Sequence, residues 1–428
     1  MRPRRSLATL AGAVALVVAG AIAAAVRVSA APPLPDVTAH VVPGIAVGGA
    51  APPIALPEHG SLALMASGDH LAGSPLLLVE HDSEHARPIA SVAKALTALV
   101  VVNSKPLGAG DSGEAYTINA RDVAFYRAAV ASGGSSAFVS LGERFTERQL
   151  LEALLLPSGN NIAMTLAVWT SGSVPAFLAT ENATALALGM AGTTITDPSG
   201  FDARTRSTAL DLIKVATAVE SSPALAAIVS ERSATLPDGS SISNFDTALG
   251  TPGWLGVKTG DSDAAGGCLL FAARVLPSGD SDPRDAVTFV GAVLGERSLL
   301  AQRTGDDDRA AAIYDAQQAV DTAIKGFIAV NPSAVASAPA LTGSVGTAWG
   351  AHSGLTLGAP RAVTTVLARS SAAVTLHVTV RARSAPMSAG ATVGSVEGSV
   401  DGRVVLRWPV RTVNGIAEPG AWWRLLHG

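Results

Sequence analysis

Lysine is scarce in this chain. Of 30 basic residues, only Lys94, Lys105, Lys214, Lys258 and Lys325 are lysines, and the rest are arginines. A lysine inside an apolar segment is therefore a poor match for surface filler. Cysteine is scarcer still: the single Cys268 excludes an internal disulfide framework and any multi-cysteine metal or cluster site. Charge is sparse, at 15% of residues, against about 25% in an average globular chain. With 48% hydrophobic residues, that balance excludes wholesale disorder. A net charge of -4 offers no general attraction to nucleic acid or anionic lipid, and no nucleic acid is expected as a partner. The eight histidines show no metal-ligand spacing, and neither metal nor organic cofactor is expected.

What is present begins with an export signature. Arg2, Arg4 and Arg5 precede an uncharged stretch from Ser6 to Val26, followed by Arg27. A basic start before an apolar run is what export machinery reads, and Val28-Ser29-Ala30 offers a small-residue cleavage site. The run is long for a cleaved signal and about long enough to span a bilayer, so both a signal peptide and a retained membrane anchor stay open for residues 1–30. Either places the remainder outside the cytoplasm, secreted or attached to the membrane through this segment.

At 428 residues the chain is long enough for two or three units, at roughly 150 residues each. Residues 31–60, which hold Pro32, Pro33, Pro35, Pro43, Pro52, Pro53 and Pro57, read as a partly extended tether. Residues 61–330 mix strand and helix patterns. Pro88 precedes an apolar helix over Ile89–Val102 whose polar members are Ser91, Lys94 and Thr97. Thr146-Glu147-Arg148-Gln149 is a capping box, with Leu150, Leu151, Leu154 and Leu155 as the buried stripe and Pro157 as the stop. Residues 254–258, 267–274 and 287–294 read as strands. Asp306–Asp308 open a helix running to about Phe327, their carboxylates at the favourable end of its dipole. Residues 331–428 read as a small all-β domain. Val374, Leu376, Val378 and Val380 alternate with polar residues, and Asp401-Gly402 reads as a hairpin turn.

Three short motifs carry chemistry. In Ser91-Val92-Ala93-Lys94, residues three apart share a helix face, so hydroxyl and amine can meet. A serine nucleophile needs a base within reach, and a neutral amine serves if burial or a nearby cation lowers its pKa. Pro157-Ser158-Gly159-Asn160 lies between two helices, where Ser158 and Asn160 can point into a cleft. Val257-Lys258-Thr259-Gly260 ends a strand, and its glycine lets a ligand approach the backbone while Lys258 and Thr259 suit a carboxylate. Taken singly, each also reads as an ordinary helix face, turn or strand end.

The ordered set Ser-x-x-Lys, Ser-x-Asn, Lys-Thr-Gly resembles the penicillin-binding proteins and serine β-lactamases. Within that group the chain most resembles the D-alanyl-D-alanine carboxypeptidases. Arg87–Ala98 is similar to their nucleophile segment. Asp197-Pro198-Ser199-Gly200-Phe201 and Ser207–Leu212 are similar to their middle segment. Gly256–Gly260 with Ala264-Ala265-Gly266 is similar to their third box. The resemblance covers about residues 60–330. It implies an α/β (α+β) fold: an antiparallel sheet flanked by helices, an all-helical subdomain, then a small β-rich C-terminal domain.

The resemblance also implies roles. Ser91 attacks the carbonyl of the penultimate D-Ala of a peptidoglycan stem peptide and releases the terminal D-Ala; β-lactam antibiotics acylate the same serine. Lys94 is the base, Ser158 relays the proton, and Asn160 orients the peptide. Lys258, Thr259 and Gly260 hold the substrate carboxylate, and the backbone N–H groups of Ser91 and Asp261 form an oxyanion hole. Arg297 is the candidate for a second carboxylate-binding arginine. A β-lactamase or a D,D-endopeptidase is the enzymatic alternative, and a catalytically weak cell-wall-binding protein the non-enzymatic one.

Departures from the family pattern are visible. Asp261-Ser262-Asp263 follows Lys-Thr-Gly where an aromatic residue or histidine then threonine is usual. Asp280–Asp285 resembles an acidic insertion. Trp422–Leu426 is too short for the terminal membrane helix of many members and is expected to be a strand with exposed aromatics. Cys268 is expected in the core, and Lys105, Lys214 and Lys325 at the surface.

Overall fold

The computed structural model describes residues 4–30, 36–40, 45–46, 51–71, 74–297, 308–330, 342–357, 366–369, 373–381, 385–400 and 403–427. The chain divides into two compact units, Ala50–Ala329 and Met1–Gly49 with Val330–Gly428.

At the N-terminus, α1 (Arg4–Ser29) contains a segment, Ala11–Ser29, long and apolar enough to cross a membrane. Within the stretch read as a tether, β1 (Asp36–His40) and β2 (Ile45–Ala46) form strands. They escape proline's veto on strand pairing because no proline lies inside either. Pro32, Pro33, Pro35 and Pro43 lie outside the described residues.

The larger unit is built on an antiparallel sheet. Its strands are β3 (Ser61–Ser67), β4 (Leu76–His81), β5 (Trp254–Gly260), β6 (Gly267–Val275) and β7 (Val287–Glu296), in the order β5-β6-β7-β3-β4. β6 is buried from Gly267 to Ala273, so this strand reads as a continuous apolar run and not as an alternation. Register places Lys258 opposite Leu270, Thr259 opposite Leu269 and Gly260 opposite Cys268. Cys268 lies in the core.

The helices that follow the nucleophile segment form the second layer. They are α2 (Lys94–Ser104), α3 (Ala120–Ala131), α4 (Glu147–Leu155), α5 (Asn160–Ser171), α6 (Val174–Ala187), α7 (Ala209–Glu220) and α8 (Pro223–Val229). α2 is buried from Lys94 through Val102 and packs against α4, α5, α6 and α7. A helix apolar on all sides can only be a central one. Thr146 and Gln149 form the capping box at the start of α4, with Gln149 N donating to Thr146 Oγ1 at 3.2 Å and Thr146 N to Gln149 Oε1 at 3.0 Å. Leu150, Leu151, Leu154 and Leu155 are all buried.

A further helix, α9 (Arg309–Ile324), packs on β6 and β7, as α7 also does. It starts after Asp308 and stops short of Phe327, which belongs to a strand, Phe327–Val330. Lys325-Gly326 intervenes, and glycine is a poor residue with which to continue a helix. Asp306 and Asp307 lie outside the described residues.

In the second unit, β8 (Thr342–Gly346), β9 (His352–Thr356), β10 (Ala373–Val380), β11 (Thr392–Val400) and β12 (Arg403–Thr412) join β1 and β2 in one sheet, ordered β1-β8-β9-β12-β11-β10-β2. β11 and β12 pair up to Val400 opposite Arg403; Asp401-Gly402 itself lies outside the described residues. Val345, Val396, Trp408, Val410 and Ile416 make its core.

One expectation is corrected. The terminal segment is not a strand but a helix, α10 (Ala421–His427). Ala, Leu and Arg are strong helix formers, and the apolar residues come in adjacent pairs, not in the alternation a half-buried strand needs. Pro419-Gly420 precedes it and Trp422 is exposed.

Candidate active site

Ser91 sits in a 3-10 turn, Ala90–Ala93, that runs directly into α2 at Lys94. Three residues per turn superimpose positions i and i+3, so this start brings the two side chains into closer register than an α-helix would. Lys94 Nζ stands 2.7 Å from Ser91 Oγ and donates to the Ser199 carbonyl at 2.8 Å. The amine is fully buried. An ammonium there would face a large desolvation cost, and burial is the first cause holding Lys94 well below its ordinary pKa. The charge of Lys258 acts in the same direction, and Asp197 opposes both. A neutral amine hydrogen-bonded to a serine hydroxyl is a base poised on a nucleophile.

The carbonyl that holds Lys94 belongs to a rigid turn. Asp197 accepts from Ser199 N at 2.8 Å, Ser199 Oγ at 2.5 Å and Asp202 N at 2.8 Å. Gly200 has φ +74, and a Cβ there would lie 1.8 Å from the Ala90 carbonyl oxygen. Only glycine lets this turn close onto the residue before Ser91. Ala90 itself is held at φ 45, a sparsely populated conformation for a residue with a side chain.

Ser158 is the other strained position of the site, at φ 63. It lies just before α5, with Gly159 at the N-cap and Asn160 as the first helical residue. Ser158 Oγ and Asn160 Oδ1 are buried and have no hydrogen-bond partner among the described residues. Buried polar atoms without partners are costly, and two of them flanking one turn fit a place kept for substrate. Asn160 and Ser199 also line a cavity of about 370 Å³ with Phe125, Met164, Phe201 and Asp202.

The third segment comes from the edge strand. β5 contacts the turn that carries Ser91. A Cβ on Gly260 would lie 3.0 Å from Ile89 O and 3.2 Å from Ser91 N, so the strand and the Ser91 turn meet backbone to backbone. Lys258 is 2% exposed and donates to the Thr259 carbonyl at 3.0 Å. Burial pushes its pKa down to about 7; the charge of Arg309 acts in the same direction and Asp246 opposes. After Gly260, Ala265 N donates to Ser262 Oγ at 3.1 Å and Gly266 N to the Ser262 carbonyl at 2.8 Å, which shapes the turn that begins at Asp261.

Arg297, the candidate for a second carboxylate-binding arginine, follows β7. It donates to the Asp263 carbonyl at 2.7 Å and lies 3.5 Å from Asp308. Arg309, which the sequence reading passed over, is the arginine whose charge reaches Lys258. Its guanidinium lies 4.5 Å from the Phe245 ring centroid. The signal available was its place at the start of the last helix of this unit.

Of the remaining lysines, Lys325 is exposed and Lys214 pairs with Asp211 at 2.9 Å. Lys105 is less free: it pairs with Glu114 at 2.6 Å and lies 4.3 Å over the Trp169 ring. Asn182 has a structural part, bonding the Ile195 backbone at 2.9 and 3.0 Å. Among the described residues no cluster of three or more His, Cys, Asp or Glu could hold a metal ion.

A family model described as D-alanyl-D-alanine carboxypeptidase matches residues 72–276, a span containing all three motifs. The D-alanyl-D-alanine carboxypeptidase DacB2 of Mycobacterium tuberculosis is 37% identical over 214 residues, covering 48% of this chain and 67% of that protein. The crystal structure of the Streptomyces K15 DD-transpeptidase is 25% identical, covers 64% of this chain and 99% of its own, and superimposes with a TM-score of 0.51. Penicillin binding protein 5 from Haemophilus influenzae, at 20% identity, shares the fold over 86% of this chain and 100% of its own, with a TM-score of 0.56. The family-model match over all three motifs, with a relative 37% identical and covered over 67% of its length, places the chain in the D-alanyl-D-alanine carboxypeptidase family.

Proposed function

We propose that the protein is a serine-type D-Ala-D-Ala carboxypeptidase of peptidoglycan, exported and held at or beyond the membrane. The observation that carries this reading is the 2.7 Å contact between Ser91 Oγ and a buried, weakly basic Lys94 Nζ. Neutral Lys94 accepts the Ser91 proton as Oγ attacks the carbonyl carbon of the penultimate D-Ala. The tetrahedral oxyanion lies between the backbone N–H groups of Ser91 and Asp261, a placement supported by the contact of Gly260 with the Ser91 backbone. Lys94 returns the proton through Ser158 to the amine of the terminal D-Ala. The C–N bond breaks, D-Ala leaves, and the acyl group stays on Ser91. Water then attacks the ester as Lys94 takes its proton; the acyl C–Oγ bond breaks, Lys94 hands that proton to Ser91 Oγ, and the shortened peptide leaves.

The remaining residues bind. Lys258 and Thr259 hold the terminal carboxylate, and Asn160 orients the peptide through the amide it points into the cleft. A β-lactam presents a carboxylate and a strained amide in similar positions and acylates Ser91 in the same way. The apolar segment Ala11–Ser29 supports attachment through, or export by, the N-terminus. The Pro-bearing stretch that follows it leads to a catalytic domain over 61–330 and on the way lends two strands to the sheet of a β-rich domain whose main part is 331–428.

The test uses the exported part of the chain and its Ser91→Ala form with a labelled penicillin and a pentapeptide ending in D-Ala-D-Ala. Stable label dependent on Ser91, with release of D-Ala, is the expected result. Rapid loss of label with penicillin hydrolysis would favour a β-lactamase. Cleavage of cross-linked dimers in preference to the pentapeptide would favour an endopeptidase. Absence of any labelling would overturn every enzymatic reading.

A further inference from the structure

Beneath the nucleophile helix lies a glutamate for which the mechanism above has no use. Glu181, on α6, is completely buried. Its Oε1 is 2.7 Å from Thr97 Oγ1, and Thr97 Oγ1 is 2.6 Å from the Pro198 carbonyl oxygen. Thr97 follows Lys94 by one turn of α2, and Pro198 precedes the Ser199 carbonyl that holds Lys94. The contact therefore ties α6, the nucleophile helix and the Asp197–Asp202 turn together at one point.

Counting protons decides the state of the glutamate. Three oxygens in a row at these distances need two protons between them. The carbonyl brings none, and the threonine hydroxyl brings one. If Thr97 donates to Pro198, the Glu181–Thr97 contact closes only when Glu181 carries the second proton. With an ionised Glu181, Thr97 would have to abandon one of its two acceptors. We propose that Glu181 is a positioning residue, a neutral carboxylic acid whose donation to Thr97 leaves the threonine free to hold Pro198 and, through it, the Ser199 carbonyl on which Lys94 docks. The inference rests on the reading of Ser91 and Lys94 given above.

The surroundings agree. Burial pushes the Glu181 pKa up to about 8 and the Asp197 carboxylate also raises it; a hydrogen bond donated by Thr97 would lower it, and that is the arrangement in which Thr97 lets go of Pro198. Asp197 is the charged group facing it from the turn. On α2 the titratable residue is Lys94, and α5, which also packs on α6, has none. Oε2 has no partner among the described residues, which a neutral acid tolerates far better than a carboxylate. Ionisation would take away the Thr97–Pro198 tie and loosen the turn, so the site carries an alkaline off-switch separate from its catalytic groups.

The experiment compares wild type, Glu181→Gln and Glu181→Ala in acylation by labelled penicillin across pH, with infrared spectra of each. An amide N–H can replace the carboxyl O–H, so Glu181→Gln is expected to acylate within about twofold of wild type at neutral pH. It should also lack one alkaline step in the pH profile. Glu181→Ala is expected to be about tenfold slower, with the loss in the acylation rate constant and not in penicillin affinity. The wild-type spectrum should contain the band of a water-excluded protonated carboxyl, absent from Glu181→Gln and lost at high pH. The infrared comparison holds even if the alanine form does not fold. A glutamine form that keeps the wild-type alkaline step, or no carboxyl band lost on substitution, overturns the assignment. Wild type that takes no label at all overturns the reading of the site, and this assignment with it.

Discussion

Lys258 and Lys94 are two buried amines of one compact unit, and the charge on the first lowers the basicity of the second. The sign of the consequence is fixed. Lys94 must be neutral to accept the Ser91 proton, so acylation rises as pH climbs through the Lys94 pKa. Lys258→Met removes the neighbouring charge and raises that pKa. The acid limb of the second-order rate of acylation, which reports the free enzyme, is expected to move to higher pH. Wild type should also lose rate toward a carboxylated β-lactam as pH rises through about 7, where Lys258 gives up its proton. An acid limb unmoved in Lys258→Met would contradict the coupling.

Gly260 makes a second prediction. Its added Cβ would sit 3.0 Å from Ile89 O, 3.1 Å from Val92 N and 3.2 Å from Ser91 N, all backbone atoms with little freedom to withdraw. Gly260→Ala should push β5 off the nucleophile turn and cost about 1–3 kcal/mol in stability. Acylation should fall by more than the loss of folded protein explains. Denaturant titration together with penicillin labelling measures both.

Much of the site was legible because its pieces are local. Ser91 and Lys94 are three residues apart, Ser158 and Asn160 two, and the Thr146–Gln149 cap closes within one turn, so residue type and spacing nearly specify these contacts. Thr97, Glu181 and Pro198 are not local: Thr97 is 84 residues from Glu181 and 101 from Pro198. The available clue was that Glu181 is the single charged residue between Glu152 and Asp197, in a stretch otherwise fit for burial. Arg309 was hidden in the same way, since its relation to Lys258 depends on how α9 lies on the sheet. The terminal helix was missed for another reason. Seven residues are too few for periodicity to separate helix from strand when aromatics, which favour strands, sit beside leucines, which favour helices.

Cys268 offers a probe that needs no substitution. Its thiol is fully buried opposite Gly260, and burial pushes its pKa up to about 12. The thiolate is the reactive form, so the folded protein should resist alkylation at neutral pH. Maleimide labelling should track unfolding of the catalytic unit as urea is added. Complete labelling of the native protein within minutes would show that β6 opens far more readily than its burial implies.

Glu220 tests the cost of buried acids away from the active site. It ends α7, where the helix dipole disfavours a negative charge, and its Oε1 is buried with no hydrogen-bond partner among the described residues. Burial pushes its pKa up to about 7 from 4.5. A raised carboxyl pKa means that the folded state holds a proton the unfolded chain has released. Its contribution is full below the unfolded value and disappears as pH rises through the folded one. Urea midpoints of the wild type should therefore decline between about pH 5 and pH 7. Glu220→Gln, neutral throughout, should show a shallower decline and be relatively more stable at the upper end. Lys258 works in the opposite direction only from about pH 7 upward, where its folded form gives up a proton that the unfolded chain still holds. Parallel curves for the two proteins from pH 5 to 7 would mean that Glu220 is ionised in the folded state and finds its compensation elsewhere.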